Sequence, residues 1–321
     1  MTETFVNYSL LAVYSAMAVY TLAFILFTLD LARRTAAVPV AAAAAASVST
    51  ASAGPGSTAV LDRTDATAPA TPTTPRYLRA AMALTILAWA LHVAATVMRG
   101  LAAGRVPWAN MFEFTLTATA IIVGVFLAVQ FWQDLRYLGA FIAGFTVIAL
   151  GVATVSFYVD VVPLPPALQS VWLVIHVFVA TLGTGFFALG AGVSIAQLLQ
   201  ARREAGQGKG LRFLATLPSA EKLENTAYRL IVVGFVFWTF TLIAGAIWAE
   251  RAWGRYWGWD TKEVWTFIIW TIFAGYIHAR ATRGWRGARS AWLAIIGFSA
   301  VIFNFTIVNL FFKGLHAYSG L

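Results

Sequence analysis

The sequence predicts an all-α polytopic membrane protein of about eight transmembrane helices, with the N-terminus and C-terminus outside. Three observations predict it. The 321 residues are 60% hydrophobic and 11% charged, too little polar material to cover a soluble domain of this size. Apolar runs near the ~20 residues needed to cross about 30 Å of hydrocarbon recur at about 5–30, 78–98, 111–131, 137–158, 171–199, 228–249, 263–280 and 291–312. Lysine and arginine are also unevenly divided. With the N-terminus outside, 16 of the 22 fall in inner loops and 6 in outer ones, as the positive-inside rule requires. The net charge of +9 is thereby explained by topology, and no nucleic-acid partner is needed.

The first run, in residues 1–31, follows an acidic n-region (Met1-Thr2-Glu3-Thr4) and is too long for a cleaved signal. It is expected to remain as a transmembrane anchor. Residues 32–77 include "AAVPVAAAAAASVSTASAGPGSTAVLDRTDATAPATPTTP", a low-complexity stretch expected to form a disordered cytoplasmic loop. The remaining seven spans form one domain, 78–321. Within it, Pro218-Ser219 with Glu221 in the following turn reads as a helix start, placing an interfacial helix ahead of the sixth span. No internal repeat is evident along the sequence. There are no cysteines, so the chain has no thiol–disulfide chemistry, thiolate metal site or thioether of its own.

The outer segments carry the chemistry. The stretch "WGRYWGWDTKEVW", residues 253–265, holds four tryptophans between spans six and seven. Asp260 and Glu263 have the spacing of a capping box, and Asn110 with Glu113 repeats it before span three. An aromatic belt needs one or two rings per span. Here Trp248, Trp253, Trp257, Trp259 and Trp265 crowd eighteen residues with Tyr256. Such rings make a platform for a flat apolar ligand, and Arg251, Arg255 and Lys262 could meet its carboxylates.

Ionisable groups at membrane depth are costly and tend to be functional. His176 lies about six residues into span five, and His316 about four residues past span eight, both on the outer side. They suit axial ligation of a haem iron; the alternative is a pair of hydrogen-bonded interfacial histidines. His278, near the inner end of span seven, reads either as a snorkelling residue beside an arginine cluster or as a ligand of an inner site. His92, in span two, reads as a helix–helix hydrogen bond.

The tryptophan-rich stretch matches W-G-x-x-W-x-W-D-x-x-E-x-W throughout. It resembles the signature of the WWD haem-handling family of cytochrome c biogenesis. Eight spans and flanking histidines, with "PSAEKLENTAYRLIVVGF" ahead of the loop, are most similar to the CcsA/ResC type of system II (CcsB in some bacteria). The resemblance covers roughly residues 80–318. It implies that His176 and His316 ligate haem b at the outer face and that His278 belongs to a possible inner site. On this reading Trp253, Trp257, Trp259 and Asp260, in a WWD loop of about 249–263, hold the ring, and Arg251, Arg255 or Lys262 meets its propionates. The implied role is haem delivery for covalent attachment to an apocytochrome c bearing CxxCH, as one half of a cytochrome c synthase in a bacterial cytoplasmic membrane. A ResB-like membrane subunit would be the partner, with thiol-reducing proteins acting indirectly. No catalytic residue of its own is implied. The competing readings are a haem exporter or another permease without a ligation role, and a quinol-linked b-type cytochrome. Neither explains the tryptophan loop.

Overall fold

A computed structural model describes residues 2–50, 76–164, 168–207, 212–282 and 284–316. Among them the regular structure is entirely helical. The helices are α1 (Thr2–Thr50), α2 (Arg76–Ala103), α3 (Met111–Val129), α4 (Gly139–Ser156), α5 (Val171–Glu204), α6 (Ala220–Trp253), α7 (Thr261–Thr282), α8 (Ala288–Phe305) and the short α9 (Ile307–Phe311). Seven are long and apolar enough to cross a membrane: the Thr2–Arg34 part of α1, then α2 to α6, and α8 with α9. The eighth, α7, has 22 residues, about 33 Å at 1.5 Å per residue. Lys262, Glu263 and polar aromatic side chains make its composition less apolar. The chain is therefore a multi-pass helical membrane protein.

Of the segment expected to be a disordered loop, residues 35–50 continue the α1 backbone, and 51–75 lie outside the described residues. The helix expected ahead of span six is continuous with it. α6 runs unbroken for 34 residues from a Ser219 cap, whose side chain accepts from the Lys222 N–H.

The helix neighbours repeat with a period of four. α1 packs on α2 and α4, and α5 packs in the same way on α6 and α8; α2–α3 and α3–α4 contacts recur as α6–α7 and α7–α8. This corrects the sequence reading of no internal repeat. Two four-helix halves run in the same sense, and α3 against α5 joins them. The repeat lies in helix neighbours, which divergent apolar residues can preserve.

Buried apolar residues form one large cluster around Tyr20, Phe112, Phe126 and Leu189, and a second around Phe187, Trp238, Ile269 and Phe273. Phe187 and Phe273 stack between α5 and α7, ring centroids 3.7 Å apart. His92 is fully buried. Its Nε2 lies 2.8 Å from the Leu116 carbonyl on α3, and its Nδ1 lies 3.5 Å from the Tyr20 hydroxyl on α1. With both nitrogens occupied between helices, it ties the first half together. The arginine-rich end has its own tie. There Glu224 accepts from Arg280 and from the Gly287 N–H (2.9 Å).

Candidate functional site

The α2–α3, α4–α5 and α6–α7 connections and the segment after α9 meet at the end opposite the arginine cluster. They enclose a cleft lined by Trp108, His176, Trp248, Tyr256, Lys262 and His316, among others. The cleft has a cavity volume of about 260 Å³ and is partly open to the outside. Its walls are mostly apolar, from α3, α5, α6 and α8.

Both outer histidines line this cleft. His176, on α5, donates through Nδ1 to the Thr241 carbonyl of α6 at 3.0 Å. That carbonyl has Gly245 one turn on, and a Cβ there would stand 2.8 Å from the His176 ring. The missing side chain is what lets the imidazole lie against α6. His316, after α9, donates through Nδ1 to Asp260 Oδ1 at 3.2 Å. In both rings the Nδ1 proton is committed, so the Nε2 lone pair is left for a ligand. Trp248 joins them. It stacks with His176 (centroids 5.8 Å, planes 19° apart) and meets His316 edge-on at 5.3 Å. Trp253 closes on the other side, 4.8 Å from both Trp248 and His316.

The loop before α7 is built around two carboxylates. Glu263 accepts from the N–H groups of Gly258 (2.8 Å) and Asp260 (3.1 Å), and from Arg255 (3.0 Å). This is the reach-back half of the expected capping box. Asp260 accepts from the N–H groups of Lys262 and Leu315 as well as from His316. The hydrogen bond from His316 holds the Asp260 carboxyl below the usual range, against the opposing effect of burial. Trp259 takes a left-handed backbone conformation, φ 61°. That is costly for a bulky residue, and it turns the ring outward, 77% exposed.

The sequence-predicted residues divide accordingly. His176, His316 and Trp257 line the cleft, and Trp253 and Asp260 hold His316. Trp259 stands at the exposed rim. Arg255 is tied to Glu263 and lies over Trp253 at 5.7 Å. Arg251 is exposed beside Glu250 at 3.4 Å. Neither arginine lines the cleft. The cation that does is Lys262, whose Nζ donates to the Asn304 carbonyl and to Asn309 Oδ1. His278 is exposed near the far end of α7 and is not brought to this cleft. Sequence reading missed Thr241, Gly245 and Asn309. The only advance signal was one glycine in an apolar helix.

Residues 77–316 match the family described as Cytochrome C assembly protein. The chain belongs to this family. Among curated relatives, the "Cytochrome c biogenesis protein CcsA" of Synechococcus sp. (strain JA-3-3Ab) is 35% identical, over 68% of this chain and 79% of that protein. The CcsA of Guillardia theta is likewise 35% identical, over 70% and 80%. Membership of this family, as a CcsA-type member, gives the chain a role in cytochrome c biogenesis. Among solved structures, "Cytochrome c Heme Lyase CcmF" superposes with a TM-score of 0.63 at 17% identity. The match covers 94% of this chain and 46% of that one, and shows a shared fold.

Proposed function

We propose that the cleft receives haem as cargo and presents it for covalent attachment to an apocytochrome c, as one half of a system II synthase with a ResB-like subunit in a bacterial cytoplasmic membrane. The observation that carries this reading is the pair of histidines on one cleft, each with Nδ1 committed and Nε2 free. Among the described residues no group of three or more His, Cys, Asp or Glu stands ready for a bare metal ion. Two imidazoles suit an iron whose other ligands come with a macrocycle.

His176 and His316 hold the iron, Trp248 and Trp253 fix the two imidazoles, and Trp257 packs on the ring. Lys262 is the cleft's cation for a propionate; Arg251 and Arg255 serve the rim. The cleft is partly open, so a haem edge stays exposed there, where the two CxxCH thiols of a reduced apocytochrome add across the vinyl groups. Each thiol sulfur bonds one vinyl carbon and its proton goes to the other. The protein contributes positioning and iron electronics, and the reacting groups belong to haem and substrate. Haem is taken up from the inner side near His278, with a second ligand from the partner.

The test is to purify the full chain with a ResB-like partner in detergent and record oxidised and dithionite-reduced spectra. A low-spin haem spectrum, lost or made high-spin by His176→Ala and by His316→Ala, is expected. A haem-free preparation with haem supplied, or a spectrum indifferent to both substitutions, overturns the reading.

A further inference from the structure

The WWD loop has a counterpart in the first half of the molecule. From Gly104 the chain reads G-R-x-x-x-x-N-x-x-E, and from Gly254 it reads G-R-x-x-x-x-D-x-x-E. Both glycines close a helix in the left-handed region, φ 63° and 69°, where a side chain would be strained. Both arginines pair with the glutamate eight residues on: Arg105 with Glu113 at 2.6 Å, Arg255 with Glu263 at 3.0 Å. Each glutamate also accepts a loop N–H, from Ala109 in one case and Gly258 in the other. Asn110 and Asp260 stand at the same place as side-chain acceptors at the start of α3 and α7. The two loops thus share one frame, at matching positions of the two four-helix halves.

Both loops also face the same cleft. Trp108, Asn110, Met111 and Phe114 line it together with Tyr256, Trp257 and Lys262. Trp108 is half-buried and stands, in the shared frame, between the positions of Trp257 and Trp259. The frames differ in how firmly they are held. Glu113 is fully buried and takes a second arginine, Arg99, itself buried. Arg99 and Arg105 reach on to the carbonyls of Val159 and Val162, beyond α4. The WWD loop has one arginine on its glutamate and leaves Tyr256 and Trp259 exposed.

We infer that the α2–α3 loop is a second jaw of the cargo cleft, a fixed wall opposed in role to the more open WWD loop, and that Trp108 is a positioning contact for the flat apolar ligand held by His176 and His316. Glu113, with Arg99 and Arg105, sets that wall. The inference rests on the haem reading above and adds a binding element outside the tryptophan-rich signature.

The experiment uses the full chain with its partner, loaded with haem. Trp108→Ala and Trp108→Leu are compared with Trp132→Ala, a control on an exposed ring at the other end. The readouts are the reduced absorption spectrum and the rate of haem loss to an excess of an apo-globin. Loss of one aromatic wall is expected to speed haem release by about tenfold and to move the reduced bands, with Trp132→Ala unchanged. Trp108→Leu keeps apolar volume without the flat ring, so it decides the matter if Trp108→Ala does not fold. Release and spectra unchanged in the folded Trp108 variants, while His176→Ala and His316→Ala still abolish the low-spin spectrum, overturn this inference alone. Indifference to the histidine substitutions as well overturns the haem reading beneath it.

Discussion

Gly245→Ala isolates the local packing that aims His176. The new Cβ would stand 2.8 Å from both Cε1 and Nδ1 of the imidazole, where ordinary contact begins at 3.4 Å. The ring or the helix must therefore retreat by at least 3.4 − 2.8 = 0.6 Å. A ring retreat of that size along the Nδ1···Thr241 bond takes it from 3.0 Å past the range of a hydrogen bond. Losing that bond costs about 0.5–1.5 kcal/mol, while alanine in a helix interior recovers about 0.5–1 kcal/mol over glycine. Folding stability should barely change. Ligation should change, because productive geometry tolerates only about 0.5 Å. The assay is thermal unfolding beside haem spectra of the detergent-purified complex. The expected result is an unchanged midpoint, a high-spin fraction in the spectrum and haem release about tenfold faster, equivalent to about 1.4 kcal/mol. Gly275→Ala, at a glycine whose Cβ would meet nothing within 4 Å, is the control. A wild-type spectrum and release rate in Gly245→Ala would refute the claim that this contact sets the ligand.

Asp260→Asn keeps an acceptor at the start of α7 but removes the charge facing His316. It should weaken haem affinity by about 10–100-fold, measured by haem titration, with the His176 side of the site unaffected. Asp260 also sets a pH dependence. Its carboxyl is held below the ordinary range by His316, so its contribution to stability is present above the unfolded value of about 3.9 and is lost as pH falls through the depressed folded value. Acid unfolding followed by tryptophan fluorescence should show that loss, and Asp260→Asn should lack it. His92→Ala should lower stability by about 2–4 kcal/mol, from a cavity and an unpaired Leu116 carbonyl, measured by denaturant unfolding. The folded fraction of His92→Ala should keep the wild-type haem spectrum, since His92 serves helix packing.

The spans were legible because lipid imposes a simple rule: α2 to α5 end within about five residues of the apolar runs, while α6 starts eight residues early because the interfacial helix joins it. α1 runs past its run, because alanine sustains helix where hydrophobicity alone marks no span. The outer histidines were legible by depth: six residues into one helix and just beyond another put both at one face. Their Nδ1 partners were less so. The Asp260 carboxylate lies in the recognisable motif, but the Thr241 carbonyl becomes a partner only through the packing of α5 on α6, which no motif records. For Arg251 and Arg255 the sequence showed the charges and not their neighbours. Arg255 is drawn to Glu263 by the frame that shapes the loop, and Arg251 is exposed beside Glu250.

The unequal support of the two imidazoles follows from where each sits. His176 is anchored within a long helix, stacked on Trp248 and bonded to a neutral backbone carbonyl. His316 lies on the segment after the one-turn α9, and a carboxylate polarises its ring. On the haem reading proposed above, a carboxylate makes the opposite nitrogen a stronger donor to iron, and the non-helical stretch that carries His316 is held by the Leu315 N–H bond to Asp260 and by Trp248 and Trp253. The two proposed ligands are thus held by different means, one by a helix and a backbone carbonyl, the other by a carboxylate and two indole rings. If the proposed function holds, a carrier that keeps haem and then yields one axial position to the substrate has two unlike ligands to choose between.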